Sequence, residues 1–369
     1  MSPVIDIVYR GPFQGRRIRF ILDCLDRLGA TQRLYWLNPE RGDAPTAGLA
    51  SFAASRPSVE VATELDGRPQ ASPRALRSLR RGRGRGSSMT VAIGFTSLLP
   101  ARALRSQRLV WCVNGIPEER LLYRDDTGRR LAVKAMWASA RLGRRPDAVV
   151  TVSRPMSALV ERHLGAVPTF AAPTAVDRSS FPPRPGGPGV LTYVGSGAPW
   201  QDLPLLAEIW SEVHRIEPEV GFRVVSRDER AGVLAARLPA GAVEEVSARG
   251  PAAVAAQLRD SQLGFIVRRP HLVNQVSYPT KFGEYVSSGV GVVTSDIGWD
   301  IGDVVRSTGC GVLVDVARPP AAMAEAVVGF MKQAGSPSQL SAACDRAAAS
   351  LDREVWVCRL GDRLAELIR

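Results

Sequence analysis

The chain is poor in lysine, histidine and cysteine, and these shortages exclude several classes of site. Its 369 residues contain only three lysines, three histidines and five cysteines. The cysteines are odd in number and form no CxxC pair, which predicts reduced thiols in a cytoplasmic protein. No group of histidine, cysteine and acidic residues has the spacing of metal ligands. We therefore expect neither a bound metal nor another cofactor.

Long apolar runs are also missing. No stretch of about 18 apolar residues is present, so no membrane-spanning helix is predicted, and the N-terminus lacks the layout of a signal peptide. A hydrophobic content of 45% with 23% charged residues indicates a folded globular protein. The length allows two domains of ordinary size.

The net charge of +12 is carried almost entirely by arginine, a bias typical of a GC-rich bacterial genome. Six arginines lie in one segment of twelve residues, RALRSLRRGRGR, from Arg74 to Arg85. The segment contains no aromatic side chain on which bases could stack, so specific nucleic-acid binding is not expected. Two interpretations remain open: a solvated surface loop, or a peripheral contact with anionic lipid or a phosphorylated acceptor at the inner membrane face.

Strand-like and helical patterns alternate in two series along the chain. The predicted strands are 4–9, 33–37, 91–95, 109–113 and 148–152, then 189–194, 222–225, 264–267, 291–294 and 311–314. A helical stripe of Ile18, Ile21, Leu22, Leu25 and Leu28 follows the first strand. Two such series predict two doubly wound α/β domains. The Pro/Gly-rich segment 181–189 (FPPRPGGPG) is the predicted linker, so residues 1–180 form the first domain and residues 181–352 the second.

Residues 265–297 are the most informative part of the chain. A predicted strand is followed by an irregular segment, then by a helix with Pro279 in its first turn that ends at Ser288–Gly289. Lys281 and Glu284 lie three residues apart and share a face of this helix. A lysine near a helix N-terminus is disfavoured by the helix dipole, which suggests that it binds an anion.

Four motifs, in this order and spacing, resemble those of retaining GT-B glycosyltransferases, in particular the large family-four group that uses nucleotide-diphosphate sugars. They are residues 114–119 (NGIPEE), 147–156 (DAVVTVSRPM), 173–181 (PTAVDRSSF) and 277–289 (SYPTKFGEYVSSG). The resemblance implies a GT-B fold, with two Rossmann-like domains facing across a cleft. It further implies that the second domain binds the nucleotide sugar, the first binds the acceptor, and the C-terminal helix at 353–369 packs back on the first domain.

The resemblance also assigns roles to individual residues. Glu284 would bind the donor ribose, and Lys281 would hold the leaving diphosphate, aided by peptide N–H groups at the helix N-terminus. Asn114 and Lys281 would lie next to the reacting groups. The remaining donor-side residues would be Ser277, Tyr278, Pro279, Thr280, Gly195, Ser196 and Gly15. On the acceptor side the resemblance places Gly11, Phe13 and Glu118.

Three departures from the family pattern bear on activity. Val276 stands where the family often has an acidic residue that binds the transferred sugar, and Asn114 stands where many relatives have a histidine. The segment from Gly195 to Gln201 lacks the arginine and lysine that usually hold the diphosphate. Arg268 and Arg269 are the nearest substitutes in sequence; the alternative is that both are exposed loop residues.

The sequence therefore predicts a metal-independent retaining glycosyltransferase that moves a sugar to a glycan, lipid-linked or secondary-metabolite acceptor. Retention by front-face attack needs no protein nucleophile, and the departing phosphate would act as the base. The alternatives are a catalytically inactive GT-B-like partner protein, a basic protein that binds membranes or polyanions, and a nucleotide-sugar epimerase or hydrolase.

Overall fold

The computed structural model describes residues 3–9, 16–36, 54–64, 86–182, 189–333 and 337–369. The chain divides into two compact units, Met1–Pro173 with Glu354–Arg369, and Thr174–Arg353. Gly11, Phe13, Gly15 and the arginine-rich segment 74–85 lie outside the described residues.

The first unit is built on a parallel sheet of seven strands in the order β3-β2-β1-β4-β5-β6-β7. The strands are β1 (Val4–Tyr9), β2 (Thr31–Trp36), β3 (Val59–Glu64), β4 (Met89–Ile93), β5 (Arg108–Cys112), β6 (Ala148–Thr151) and β7 (Thr169–Ala171). The helices are α1 (Arg16–Asp26), α2 (Leu98–Leu104), α3 (Glu119–Tyr123), α4 (Thr127–Arg141) and α5 (Arg154–Leu164). The central strands β1 and β4 are apolar along almost their whole length because such strands are covered on both faces.

Helix α1 packs on the sheet through the predicted apolar stripe. Ile18, Ile21, Leu22 and Leu25 are completely buried. Leu28, which was predicted to extend the stripe, instead lies in the turn that follows Asp26 and is half-buried. The helix ends before Leu28 because the chain forms a tighter turn there. In this turn the N–H of Leu28 donates to the carbonyl of Leu25, three residues earlier, at 3.0 Å.

The second unit is built on a parallel sheet of six strands in the order β10-β9-β8-β11-β12-β13. The strands are β8 (Val190–Val194), β9 (Gly221–Val225), β10 (Val243–Val246), β11 (Ser261–Ile266), β12 (Gly291–Ser295) and β13 (Gly311–Val314). The helices are α6 (Leu203–Ile216), α7 (Pro251–Gln257), α8 (Leu272–Val276), α9 (Thr280–Ser287), α10 (Asp300–Thr308), α11 (Pro320–Gln333) and α12 (Pro337–Ala349). Both sheets therefore have the doubly wound architecture that the alternating pattern predicts.

Two details of the segment between β11 and β12 differ from the sequence prediction. The part before Pro279 is not wholly irregular, because it contains the short helix α8, whose N-terminus is capped by His271 Nδ1 accepting from the Val273 N–H at 3.2 Å. Pro279 itself is the N-cap of α9 and not a residue of its first turn. The backbone there remains extended, which suits the fixed φ of proline.

Helix α9 is fixed to the sheet by Tyr285 and Gly264. A Cβ atom on Gly264, in the middle of β11, would come within 2.6 Å of the Tyr285 ring, so the ring packs where this strand has no side chain. The Tyr285 hydroxyl accepts a hydrogen bond from the Val194 N–H at 2.9 Å. One side chain thereby joins α9 to two neighbouring strands, β11 and β8.

The last helix, α13 (Arg353–Ile368), belongs to the first unit from Glu354 onward. The carbonyl of Leu367 accepts from Arg108 Nε at 3.0 Å, and the Trp356 ring lies 6.2 Å from that of Phe170. Within the described parts of the chain, no helix is long and apolar enough to cross a membrane.

Candidate functional site

The candidate donor site lies at the carboxyl ends of β8 and β11. The direction of strand order reverses at this pair, and open α/β sheets bind ligands outside such a point. Gly195 follows β8, Arg268 lies two residues after β11, and helix α9 begins twelve residues later. These elements bring together most of the predicted donor residues of the second unit.

Lys281 is buried within this cluster, with only 7% of the residue exposed. Its Nζ donates to Gln201 Oε1 at 3.2 Å and lies 4.1 Å from the centre of the Tyr193 ring. A Cβ atom on Gly195 would come within 2.8 Å of the same Nζ, so a glycine is needed to let the loop approach the ammonium. Burial, and next the nearby Arg268 guanidinium, lower the pKa of Lys281 well below its ordinary value, while Glu284 acts in the opposite direction.

Arg268 is also buried, contrary to the interpretation of the arginine pair as exposed loop residues. Its Nη2 donates to Gln201 Oε1 at 3.0 Å, its Nη1 donates to Ser277 Oγ at 3.3 Å, and its Nε is buried without a hydrogen-bond partner. Burial lowers the pKa of Arg268 to about 10, so the guanidinium remains charged at neutral pH. A buried N–H group without a partner costs free energy, which a bound acceptor would recover.

Arg269 occupies a different environment from its neighbour. Its side chain is 60% exposed, and its Nε donates to Asp202 Oδ2 at 2.7 Å. Asp202 adopts the left-handed conformation with φ of 50° at the start of α6. The ion pair therefore ties the loop after β8 to the loop after β11, and Arg269 does not enter the buried cluster.

The remaining predicted residues of the donor segment surround α9. Ser277 accepts from Arg268 and donates its own Oγ–H to the Asn274 carbonyl at 2.9 Å. The Tyr278 carbonyl accepts from Thr174 Oγ1 at 3.0 Å. Pro279 is buried, Thr280 is half-buried, and Glu284 on α9 is 5% exposed. The predicted glutamate and lysine therefore lie on a buried face of one helix.

Two adjoining cavities open beside the Gly195 loop. One of about 350 Å³ is lined by Gly195 and Ser196 with residues of the loops after β9 and β10, and a second of about 330 Å³ continues along the same loops. Asp228, which lines both, accepts from the Gly197 N–H at 2.9 Å. Hydrogen bonds from Arg230 hold the pKa of Asp228 below its usual range, so this carboxylate is charged and fixes the loop.

Asn114 and Glu118 lie in the first unit, after β5. Asn114 is exposed, and its Oδ1 would be 3.9 Å from a Cβ on Gly94 at the end of β4. Glu118 Oε1 accepts from Trp137 Nε1 at 2.9 Å, while its Oε2 is buried without a hydrogen-bond partner. Both residues lie at the carboxyl edge of the first sheet, the edge at which such sheets bind ligands.

Arg268, Lys281, Gln201 and Tyr193 form what we call the donor cluster. Its last two members were not identified from the sequence. Gln201 carries no charge and belongs to no motif, and Tyr193 is an ordinary residue of a buried strand. Gln201 could have been suspected from its position in the segment from Gly195 to Gln201, which lacks the arginine and lysine that usually hold the diphosphate in the family. No group of three or more histidine, cysteine or acidic residues that could hold a metal occurs among the residues described.

Comparisons with known proteins agree with this architecture. Residues 188–333 match the family model described as Glycosyl transferases group 1. No curated protein matches the chain in sequence. The solved structures that it resembles include sucrose-phosphate synthase from Thermosynechococcus elongatus (TM-score 0.72, 14% identity, 99% of both chains covered). They also include the Anabaena protein HepE in complex with UDP-glucose (TM-score 0.71, 14% identity, 98% of this chain and 99% of that one). A glycosyltransferase from Rickettsia africae has a TM-score of 0.69 at 12% identity, with 100% and 99% covered. The chain therefore has the fold of GT-B glycosyltransferases.

Proposed function

We propose that the protein is a glycosyltransferase that uses a nucleotide-diphosphate sugar as its donor. The observation that carries the proposal is the buried pair Arg268 and Lys281, whose nitrogens donate to one neutral oxygen, with Glu284 buried three residues after Lys281 on the same helix. Two positive groups at this spacing repel each other, and an anion bound between or beside them relieves the repulsion. A diphosphate supplies that charge together with acceptors for the buried N–H groups.

The donor would lie along the carboxyl edge of the second sheet. Its diphosphate would contact Lys281 and Arg268, and Glu284 would accept hydrogen bonds from the ribose hydroxyls. The cavities beside Gly195, of about 350 and 330 Å³, offer room for the nucleoside. The HepE structure was solved with UDP-glucose, which makes this sugar nucleotide the first donor to test.

We propose a retaining, metal-independent reaction. Lys281 and Arg268 would stabilise the charge that develops on the leaving diphosphate, the step at which fixed positive charge accelerates the reaction. A divalent cation would be repelled by this pair. The departing phosphate would take the proton of the acceptor hydroxyl, which attacks from the same face, so the protein need not supply a nucleophile.

The acceptor would bind at the first unit, near Asn114 and Glu118. A glycan, a lipid-linked sugar and a secondary metabolite all present the hydroxyl that the reaction needs. The arginine-rich segment 74–85 suggests peripheral contact with the inner membrane, because each basic residue near an anionic surface contributes about 1 kcal/mol. Sedimentation with anionic vesicles tests this: loss of binding when these arginines become serine supports it, and no binding by the wild type at low salt contradicts it.

A thermal-shift screen across UDP-, GDP-, dTDP- and CDP-sugars tests the donor. A ligand at 100 times its Kd stabilises the folded state by about 2.7 kcal/mol. Product analysis of the stabilising donor then separates the alternatives: an epimerase or hydrolase consumes it without an acceptor, and an inactive partner protein binds it without turnover. Val276 and Asn114, which replace residues that contact the sugar in the family, give the inactive alternative its support. If no sugar nucleotide and no nucleoside diphosphate binds, the proposal is wrong.

A further inference from the structure

Gln201 contacts both buried cations of the donor cluster through a single atom. It ends the short 3-10 turn Pro199–Gln201 after β8 and is 8% exposed. Its Oε1 accepts from Arg268 Nη2 at 3.0 Å and from Lys281 Nζ at 3.2 Å. These three residues come from three separate segments of the second unit, so their meeting point is fixed by the fold.

A neutral amide suits this position better than a carboxylate. The amide oxygen carries enough negative charge to accept both hydrogen bonds, but it does not neutralise either cation. A carboxylate in the same place would form ion pairs with both groups and would compete with a phosphate for the same N–H donors. The cluster therefore keeps its positive charge available while the repulsion between the two cations is reduced.

The loop that carries Gln201 is anchored on both sides of that residue. The Gln201 N–H donates to the Ala198 carbonyl at 2.9 Å, and the next residue, Asp202, pairs with Arg269 at 2.7 Å. Asp202 has a left-handed backbone, which turns the chain abruptly into α6. The exposed ion pair thus helps to fix where the Gln201 amide points.

We propose that Gln201 is a positioning residue that holds Arg268 and Lys281 side by side as one anion-binding pair. The proposal rests on the donor site proposed above and identifies how this chain assembles its positive charge. The family that the sequence resembles carries its diphosphate-binding cations in the loop after the first strand of the second domain. In this chain that loop instead supplies the neutral group that orients cations from the β11 loop and from α9.

The first test needs no nucleotide. Because the chain has only three lysines, labelling lysine with ¹³C at Cε gives a small set of signals, and Lys281→Met identifies the one from Lys281. Gln201→Glu places a negative charge beside Nζ and should raise the titration midpoint of Lys281, whereas Gln201→Leu removes an acceptor and should lower it. Gln257→Glu, the same substitution on α7 away from the cluster, should leave the midpoint unchanged. If neither variant at position 201 moves the midpoint while circular dichroism shows folded protein, the proposal is overturned.

The second test uses inorganic pyrophosphate and UDP as calorimetric probes. Gln201→Glu should weaken the binding of both probes by about tenfold or more, because its carboxylate competes with their phosphates for the same charge-assisted hydrogen bonds. Equal binding by Gln201→Glu and the wild type would overturn the positioning role even if the donor site is correct. A shift of the Lys281 titration midpoint as expected, with no binding of pyrophosphate or UDP by the wild type, would keep the positioning role of Gln201. That result would contradict only the proposed donor function.

Discussion

Replacing Lys281 by methionine should have opposite effects on the stability of the free protein and on its affinity for nucleotide. In the free protein the ammonium is buried, and its hydrogen-bond acceptor at 3.2 Å is the neutral Gln201 amide. A buried ammonium in these surroundings lowers the stability of the folded protein unless a bound ligand pairs with its charge. Methionine has a similar length and no charge, so it removes the cost and the function together.

The magnitudes follow from the contacts of Lys281. Lys281→Met removes the cost of burying an ammonium, but it also removes the attraction between Lys281 and Glu284, so the net gain in stability is small. The cation–π contact with Tyr193 offsets about 0.5–2 kcal/mol of this gain. At about 2–4 °C per kcal/mol for a domain of this size, the Tm should stay level or rise by a few degrees. Loss of a charge-assisted phosphate contact, at about 1.5–3 kcal/mol, should weaken nucleotide binding and slow transfer by about 10- to 100-fold.

Thermal denaturation without ligand and calorimetry with nucleoside diphosphate measure the two effects. Lys332→Met is the matched control, because Lys332 is exposed and pairs with Glu217 on the surface. This control should bind nucleotide normally and change the Tm little, as exposed ion pairs contribute about 0–1 kcal/mol. A Lys281→Met protein that melts well below the control would show that Lys281 serves stability. Normal nucleotide affinity in the same protein would show that the phosphate charge comes from another residue.

Four further results are expected. Glu284→Ala should weaken nucleoside diphosphate binding about tenfold while the circular dichroism spectrum is unchanged, and equal calorimetric affinity would remove the ribose assignment. Arg268→Leu should weaken that binding by about tenfold or more, whereas Arg269→Leu should change it less than about threefold, since the Arg269 side chain is 60% exposed and pairs with Asp202; equal losses would contradict the distinction between the two arginines. Because burial lowers the pKa of Lys281, the unfolded chain binds more protons than the folded one between that lowered value and the ordinary value of 10.5. The stability of the free protein should therefore rise with pH across this window. The destabilisation caused by the buried Lys281 ammonium should be fully present at pH values below the window. A bound diphosphate raises the pKa of Lys281, so binding within the window should take up a proton; calorimetry in buffers of different ionisation enthalpy measures this, and zero uptake throughout the window would contradict it.

The sequence predicts every central strand but only one of the four edge strands, β13. Ten predicted strands are present with ends within three residues of the predicted ones, including β1 and β13, which match in full. The three strands that were missed, β3, β7 and β10, all lie at the edge of a sheet. The β10 sequence is VEEV, with two exposed glutamates between half-buried valines. An edge strand pairs on one side only and needs no apolar run, so its sequence is weakly patterned.

The donor cluster shows the same limit at the level of side chains. Lys281 and Glu284 could be identified because a single helix fixes their spacing. Arg268 and Arg269 are adjacent, and nothing local distinguishes them. The buried Arg268 binds Gln201, and the exposed Arg269 pairs with Asp202. Each contact joins residues that are 67 positions apart in sequence. Contacts over that separation depend on the packing of the whole unit, which sequence spacing does not encode.

The contact between Tyr285 and Gly264 bears on how the proposed donor site would adapt to different sugars. With its ring against the backbone of β11 and its hydroxyl on the Val194 N–H, Tyr285 prevents α9 from sliding along the sheet or turning about its axis. The groups that would hold the diphosphate and ribose therefore belong to a rigid element. Adjustment to another nucleobase or sugar is left to the loops after β8 and β9, where Gly197 packs against Arg230. A change of donor preference, whether by evolution or by directed mutagenesis, should therefore arise in those loops and leave the helix sequence intact.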